Sequence, residues 1–132
     1  MSSRMRVIAA GIADADALAA AGERFFVQAY GKYSEPDDLV AHVREYFARD
    51  SVADELHRPG VSYAIAHDED VFAGFIKTRR GPAPEAIPAA RAVEVQQLYV
   101  DADRQRKGVG RVLMDHAVAT ARAERSPGLW LS

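Results

Sequence analysis

Apolar residues along this chain recur first with a helical spacing and then with a spacing of two. The run Arg4 to Ile12 (RMRVIAAGI) reads as a strand. After it, Asp14 or Asp16 can cap a helix whose apolar positions Leu18, Ala21, Phe25 and Ala29 share one face, until Gly31 ends it. Ser34-Glu35-Pro36-Asp37 then sets a hydroxyl at an N-cap and proline in a first turn, ahead of Leu39, Val40, Val43, Tyr46 and Phe47. Ser51-Val52-Ala53-Asp54 repeats that pattern for a short third helix, which Pro59-Gly60 stops.

From Val61 the period changes. Val61, Tyr63 and Ile65 alternate with Ser62, Ala64 and Ala66, and His67-Asp68-Glu69-Asp70 separates them from Val71 to Ile76, which predicts an antiparallel hairpin with a bulge at Gly74. Gly81 to Arg91, with three prolines, has loop composition. Ala92 to Val100 reads as a strand, Asp101 to Lys107 as a charged loop, Gly108 to Glu124 as an amphipathic helix, and Leu129-Trp130-Leu131 as a last strand. The order β-α-α-α-β-β-β-α-β is mixed α/β, and its final strand–helix–strand unit implies a parallel pair with a right-handed crossover.

Composition narrows the function classes. At 132 residues, 48% hydrophobic and 27% charged, the chain has the length and make-up of one globular domain, residues 1–132. Seventeen basic against nineteen acidic residues leave a net charge of −2, so there is no general attraction to nucleic acid. Absence of cysteine excludes disulfides, thiolate zinc sites and a cysteine nucleophile. The four histidines lack paired ligand spacing, so no metal is expected. The apolar runs are too short to span a membrane and the Met1 end carries no signal-peptide pattern, so a soluble cytoplasmic protein is the expectation.

Candidate chemistry concentrates at Gln105-Arg106-Lys107-Gly108-Val109-Gly110-Arg111, between a predicted strand and a predicted helix. The first N–H groups of a helix lack intrahelical partners and carry the positive end of the dipole, which suits an anion. Gly108 and Gly110 allow close approach of a bulky diphosphate, and Arg104, Arg106, Lys107 and Arg111 match its charge. A solvated turn would have the same composition. Neither a dinucleotide-binding GxGxxG nor a Walker loop is present.

The string Val93 to Met114 (VEVQQLYVDADRQRKGVGRVLM) resembles the signature of the GNAT superfamily of N-acetyltransferases. The match is a strand ending at Tyr99-Val100, a charged linker, then Gln105-Arg106-Lys107-Gly108-Val109-Gly110 opening a helix, and the resemblance covers nearly the whole chain. Phe25 to Gly31 and the acidic second helix look most like the polyamine N-acetyltransferase branch. The resemblance implies a mixed sheet in which acetyl-CoA lies beside the last β-unit. Its pantetheine arm would meet the main chain of Leu98, Tyr99 and Val100, and its diphosphate the residues Gln105 to Arg111, with charge from Arg106, Lys107 and Arg111.

It also implies transfer of an acetyl group to a primary amine of a small molecule, possibly a polyamine, or of a protein. Glu94 stands where several family members place a general base; its other reading is an exposed strand residue or a structural ion pair. Seven acids between Glu35 and Glu55 stand against two arginines, a formal −5, which is either a solvated helix face or an acidic wall for a cationic acceptor. Complete family members continue past the strand at Leu129 to Leu131 into a helix and a hairpin that supply a tyrosine acid. The chain is therefore expected to be a C-terminally short form, whose open strand edge with Trp130 would pair with a second chain or with a separate copy of the missing segment, a frayed terminus being the other reading. A CoA- or nucleotide-diphosphate-binding module without turnover, and a protein-interaction domain, are the alternatives.

Overall fold

The computed structural model describes residues 5–81, 92–124 and 129–131. Five strands form one sheet in sequence order: β1 (Met5–Ala9), β2 (Val61–Asp68), β3 (Val71–Arg80), β4 (Val93–Val100) and β5 (Leu129–Leu131). The first four are antiparallel to their neighbours, and β5 runs parallel to β4. Between β1 and β2 come α1 (Ala15–Tyr30), α2 (Pro36–Phe47) and α3 (Arg49–His57), and α4 (Val109–Ala123) forms the crossover from β4 to β5. The expected mixed α/β sheet with a parallel last pair is what the chain forms.

Alternation along the strands divides the core between two faces of the sheet. Tyr63, Ile65 and Phe75 pack with Leu18, Phe25 and Phe26 of α1, Phe47 of α2 and Val52 of α3. On the other face Ala64, Ala66, Ala73, Ile76 and Val95 pack with Val109, Leu113 and Ala117 of α4. Phe25, Leu18, Phe75 and Leu113 are at most 2% exposed, and burial of each such side chain contributes about 1.5–3 kcal/mol. The small residues under α4 bring it close to the sheet. A Cβ on Gly74 would meet the Tyr99 carbonyl at 2.6 Å and Val109 at 3.0 Å, so glycine is required for this approach.

Two helix starts differ from expectation, by one residue in α2 and by three in α3. In α2 the N-cap is Glu35 rather than Ser34, and in α3 it is Ala48 rather than Ser51; neither cap bonds through its side chain. Pro36 at the first position fixes the start of α2. Asp14 occupies the N-cap of α1, yet its carboxylate accepts from the Gly11 N–H (2.8 Å) and closes the preceding turn. The strand expected from Arg4 to Ile12 ends at Ala9, because Ile12–Asp14 is a 3-10 turn. The loop expected over Gly81 to Arg91 lies, beyond Gly81, outside the described residues, as does the Trp130 side chain.

Two register shifts interrupt the sheet. One separates Ala66 from His67 opposite Gly74 and Phe72, so Ala73, the neighbour of the expected Gly74, is the extra residue. The other lies between β3 and β4: Lys77 pairs with Gln97 but Thr78 pairs with Val95, leaving Gln96 as an inserted residue in β4.

Candidate active site

The Gln96 bulge decides where Glu94 points. Gln97 shares the α1–α3 face with its partner Lys77, and strict alternation would then turn Glu94 toward α4. The inserted residue resets the phase. Val93 and Val95 go to the buried α4 side, and Glu94 comes to the α1–α3 face opposite Arg79. There Glu94 is half-buried and its Oε1 accepts from the Gln96 side-chain amide at 3.2 Å. The doublet Gln96-Gln97, which breaks the alternation of VEVQQLYV, is the sequence signal of this slip.

Beside Glu94 a polar cavity of about 310 Å³ is lined by Tyr46, Glu55, Arg58, Lys77, Arg79, Gln96 and Gln97. Lys77 forms part of it and is only 8% exposed. Its Nζ lies 3.8 Å from Glu55 Oε1 and 5.7 Å from the centre of the Tyr63 ring. Burial lowers the Lys77 pKa, with Glu55 opposing in part. Burial, reinforced by Glu55, raises that of Tyr63. Of the seven acids between Glu35 and Glu55, only Glu55 lines this cavity.

At the other end of β4, roughly 20 Å along the strand from Glu94, lies the glycine loop. Gly108 is the N-cap of α4 with φ +87°, and Arg106 two residues earlier has φ +70°. Such left-handed residues turn successive N–H groups to one side, in the manner of anion-binding nests. No side chain caps the start of α4, so its first N–H groups stay available. A Cβ on Gly108 would meet nothing within 4 Å, and one on Gly110 would meet only Val100 at 3.7 Å. The space over both glycines is thus open. It belongs to a cavity of about 410 Å³ lined by Leu98, Val100, Arg104, Gln105, Arg106, Gly108, Val109, Gly110 and Arg111.

Lys107 and Tyr99 do not line that cavity. The Tyr99 ring turns to the other face, 5.6 Å from Phe75 and 6.0 Å from Phe47, and Val109 contributes main chain, its side chain being 1% exposed. Arg104 is committed internally, 3.5 Å from Asp68 and 3.7 Å from Asp101. Asp101, which opens the charged loop in the sequence, has a further role in the fold. It is 7% exposed, accepts from the Asp103 N–H (3.1 Å) and from the Gln28 amide (3.3 Å), and lies 3.7 Å from Arg24. It ties the turn after β4 to α1.

β4 pairs with β5 only from Val93 to Val95. From Gln96 to Val100 its outer edge has no strand partner among the described residues. A third cavity, about 230 Å³, opens under the second half of α4 near Ser62, Thr78, His116 and the Arg80–Glu124 ion pair, away from the glycine loop. Among the described residues no three His, Cys, Asp or Glu side chains are grouped to hold a metal, and no helix is long and apolar enough to cross a membrane.

The sequence model of the Acetyltransferase (GNAT) family matches residues 20–132. This chain belongs to the GNAT family. The match includes the bulged strand, the glycine loop and α4. A curated relative from Lactobacillus delbrueckii subsp. lactis, described as an uncharacterized N-acetyltransferase in the pepI 3′ region, is 23% identical over 106 residues, 80% of this chain. The chain spans 61% of that relative's length.

Among solved structures, the PaiA N-acetyltransferase of Thermoplasma acidophilum, in complex with coenzyme A, superposes with a TM-score of 0.78 at 16% identity, over 92% of this chain and 74% of that one. A GCN5-related N-acetyltransferase from Ralstonia eutropha JMP134 gives 0.76 at 18%, over 97% and 82%. Identities this low speak for a shared GNAT fold.

Proposed function

We propose that this chain transfers the acetyl group of acetyl-CoA to a primary amine. The observation that carries the reading is the glycine loop. Left-handed residues, an uncapped helix start and open space over two glycines bound a cavity that runs on to Leu98 and Val100 along the edge of β4 that has no strand partner among the described residues. A ligand with a diphosphate at one end and an extended amide-bearing arm at the other fits that shape and that supply of N–H donors. The coenzyme A in the PaiA relative is in keeping with it.

In this reading the N–H groups of Gly108 to Arg111 hold the diphosphate, with Arg106 and Arg111 adding charge. The main chain of Leu98, Tyr99 and Val100 binds the pantetheine amides. Glu94, oriented by Gln96, takes a proton from the acceptor ammonium, directly or through water, so that the neutral amine attacks the thioester carbonyl. The carbon–nitrogen bond forms as the carbon–sulfur bond breaks, and the thiolate leaves to take up a proton. A polyamine acceptor rests on the resemblance of the N-terminal helices alone. A cytosolic location, where acetyl-CoA is available, belongs to the same reading.

The test is to incubate the protein with acetyl-CoA and a panel of primary amines, following free thiol and calorimetric binding of CoA together. Thiol release that depends on the amine is the expected result. Saturable CoA binding without release would make the chain a binding module, and no CoA binding would overturn both readings.

A further inference from the structure

The cavity beside Glu94 has a charge opposite to that of the helices around it. Lys77, Arg58 and Arg79 line it against Glu55, and one cation remains in excess when Glu94 is counted as well. Glu55 is already shared, with Arg58 at 3.6 Å and Lys77 at 3.8 Å, both on Oε1. Arg79 forms no ion pair with another described residue. The remaining acids of the second and third helices, Glu35, Asp37, Asp38, Glu45, Asp50 and Asp54, do not line the cavity.

We infer that this cavity takes an acceptor amine that also carries an anionic group, a carboxylate or a phosphate, bound by Lys77 and the two arginines. The inference rests on the acyl-transfer reading, which makes the cavity beside Glu94 the acceptor site. Lys77 and Arg79 share one face of β3 two residues apart, about 7 Å, and Arg79 faces Glu94 across the β3–β4 ladder. An acceptor with its amino group at Glu94 and its anion toward Lys77 and Arg58 therefore needs only a short aliphatic spacer. The size agrees, because about 310 Å³ is at the small end of the range for small-molecule pockets.

Charge chemistry favours an anion over a polycation. A guanidinium presents a planar fork to carboxylate or phosphate oxygens, whereas a second ammonium on the acceptor would meet three cations and a carboxylate that already has two partners. Lys77 is the strongest element. Its ammonium is nearly out of water, with one carboxylate at 3.8 Å and an aromatic face, so an incoming anion would supply the close partner that it lacks.

The test uses the full chain with saturating acetyl-CoA, three acceptors of similar reach, β-alanine, phosphoethanolamine and ethanolamine, and the longer polycation spermidine. We expect kcat/KM for β-alanine or phosphoethanolamine to exceed that for ethanolamine and for spermidine by about tenfold or more, as one charge-assisted contact allows. The better of the two distinguishes carboxylate from phosphate. Arg79→Gln combined with Arg58→Gln should reduce that preference through KM. Equal or better turnover of ethanolamine or spermidine overturns the inference and leaves acyl transfer standing.

If no amine is acetylated, the acyl-transfer reading fails by itself. Calorimetric titration of β-alanine and phosphoethanolamine into CoA-saturated protein then decides the present point. Saturable binding that the double variant loses upholds it, and heats no different from those of ethanolamine overturn it.

Discussion

Gln28 and Asp101 lie 73 residues apart in sequence and meet at the turn that leads into the glycine loop: the Gln28 amide donates to Asp101 Oδ1 at 3.3 Å. The same Gln28 side chain accepts from the Ala102 N–H at 2.9 Å, so one α1 residue clamps the turn from both sides. Asp101 also takes the Asp103 N–H and lies beside Arg24 and Arg104.

Asp101→Ala should therefore destabilise the protein by about 2 kcal/mol or more, the range for a lost hydrogen-bonding charge that leaves partners unsatisfied. Denaturant midpoints measure this. CoA affinity should fall as well, since the loop loses its tie to α1. A stability loss under ~0.5 kcal/mol, the level of an ordinary surface substitution, would contradict the clamp.

The two loop glycines should behave differently. Gly108→Ala faces open space, yet its φ of +87° costs an alanine about 1–2 kcal/mol of stability. Gly110→Ala lies in α4 with only an ordinary contact at 3.7 Å and should stabilise the protein by about 0.4–1 kcal/mol. Gly110→Asp should also fold, but weaken acetyl-CoA binding by more than about tenfold, since it sets a like charge where the diphosphate is proposed to lie. Unchanged affinity in Gly110→Asp would refute this placement.

Glu94→Gln should lower acetyl transfer by roughly 10²–10⁴-fold, the usual contribution of a general base, with CoA affinity where it was. The loss should be largest at neutral pH and shrink in alkali, where free amine is abundant without help. A variant as active as the parent at pH 7 would return Glu94 to the structural role that its hydrogen bond with Gln96 also permits.

Stability should show an opposed pair of alkaline effects. Burial lowers the Lys77 pKa below 10.5, so between that lowered value and 10.5 the unfolded chain holds a proton that the folded chain has released, and stability rises with pH. Tyr63 and Tyr99 are raised above 10.0, chiefly by burial. Above pH 10.0 the folded phenols keep protons that the unfolded ones lose, and stability falls. In Lys77→Met the rise should vanish while the fall remains. Parallel profiles for the two proteins, measured by denaturant titration across this range, would show that the buried lysine is not the cause.

Element order was legible because each helix carries its own apolar stripe and each strand of the hairpin its own alternation. Helix starts were less so, because Glu35 and Ala48 cap through backbone geometry rather than through a hydroxyl. The glycine loop could be read from its local composition. Glu94 could be picked out but its face is harder to read: the Gln96-Gln97 doublet marks a slip in the alternation, and pairing with β3 fixes Gln96 as the extra residue. Lys77 falls just past the strand read from Val71 to Ile76, yet β3 runs on to Arg80 and α3 and Tyr63 cover the lysine. Asp101 reads as the first residue of a charged loop. Its role comes from α1, which nothing local to residue 101 announces.

The bulge at Gln96 also separates two traits that one strand would otherwise tie together. Beyond it, Leu98 and Val100 belong to the cavity over the glycine loop; before it, Glu94 belongs to the opposite face, although all three residues are even-numbered. With the cavity beside Glu94 as the proposed acceptor site, changes to Lys77, Arg79 or Gln97 would alter acceptor choice without touching the wall along which the acyl donor is proposed to lie. In that arrangement the acceptor side can change while the donor side stays fixed, and deletion of Gln96 would return Glu94 to the α4 face and join the two again.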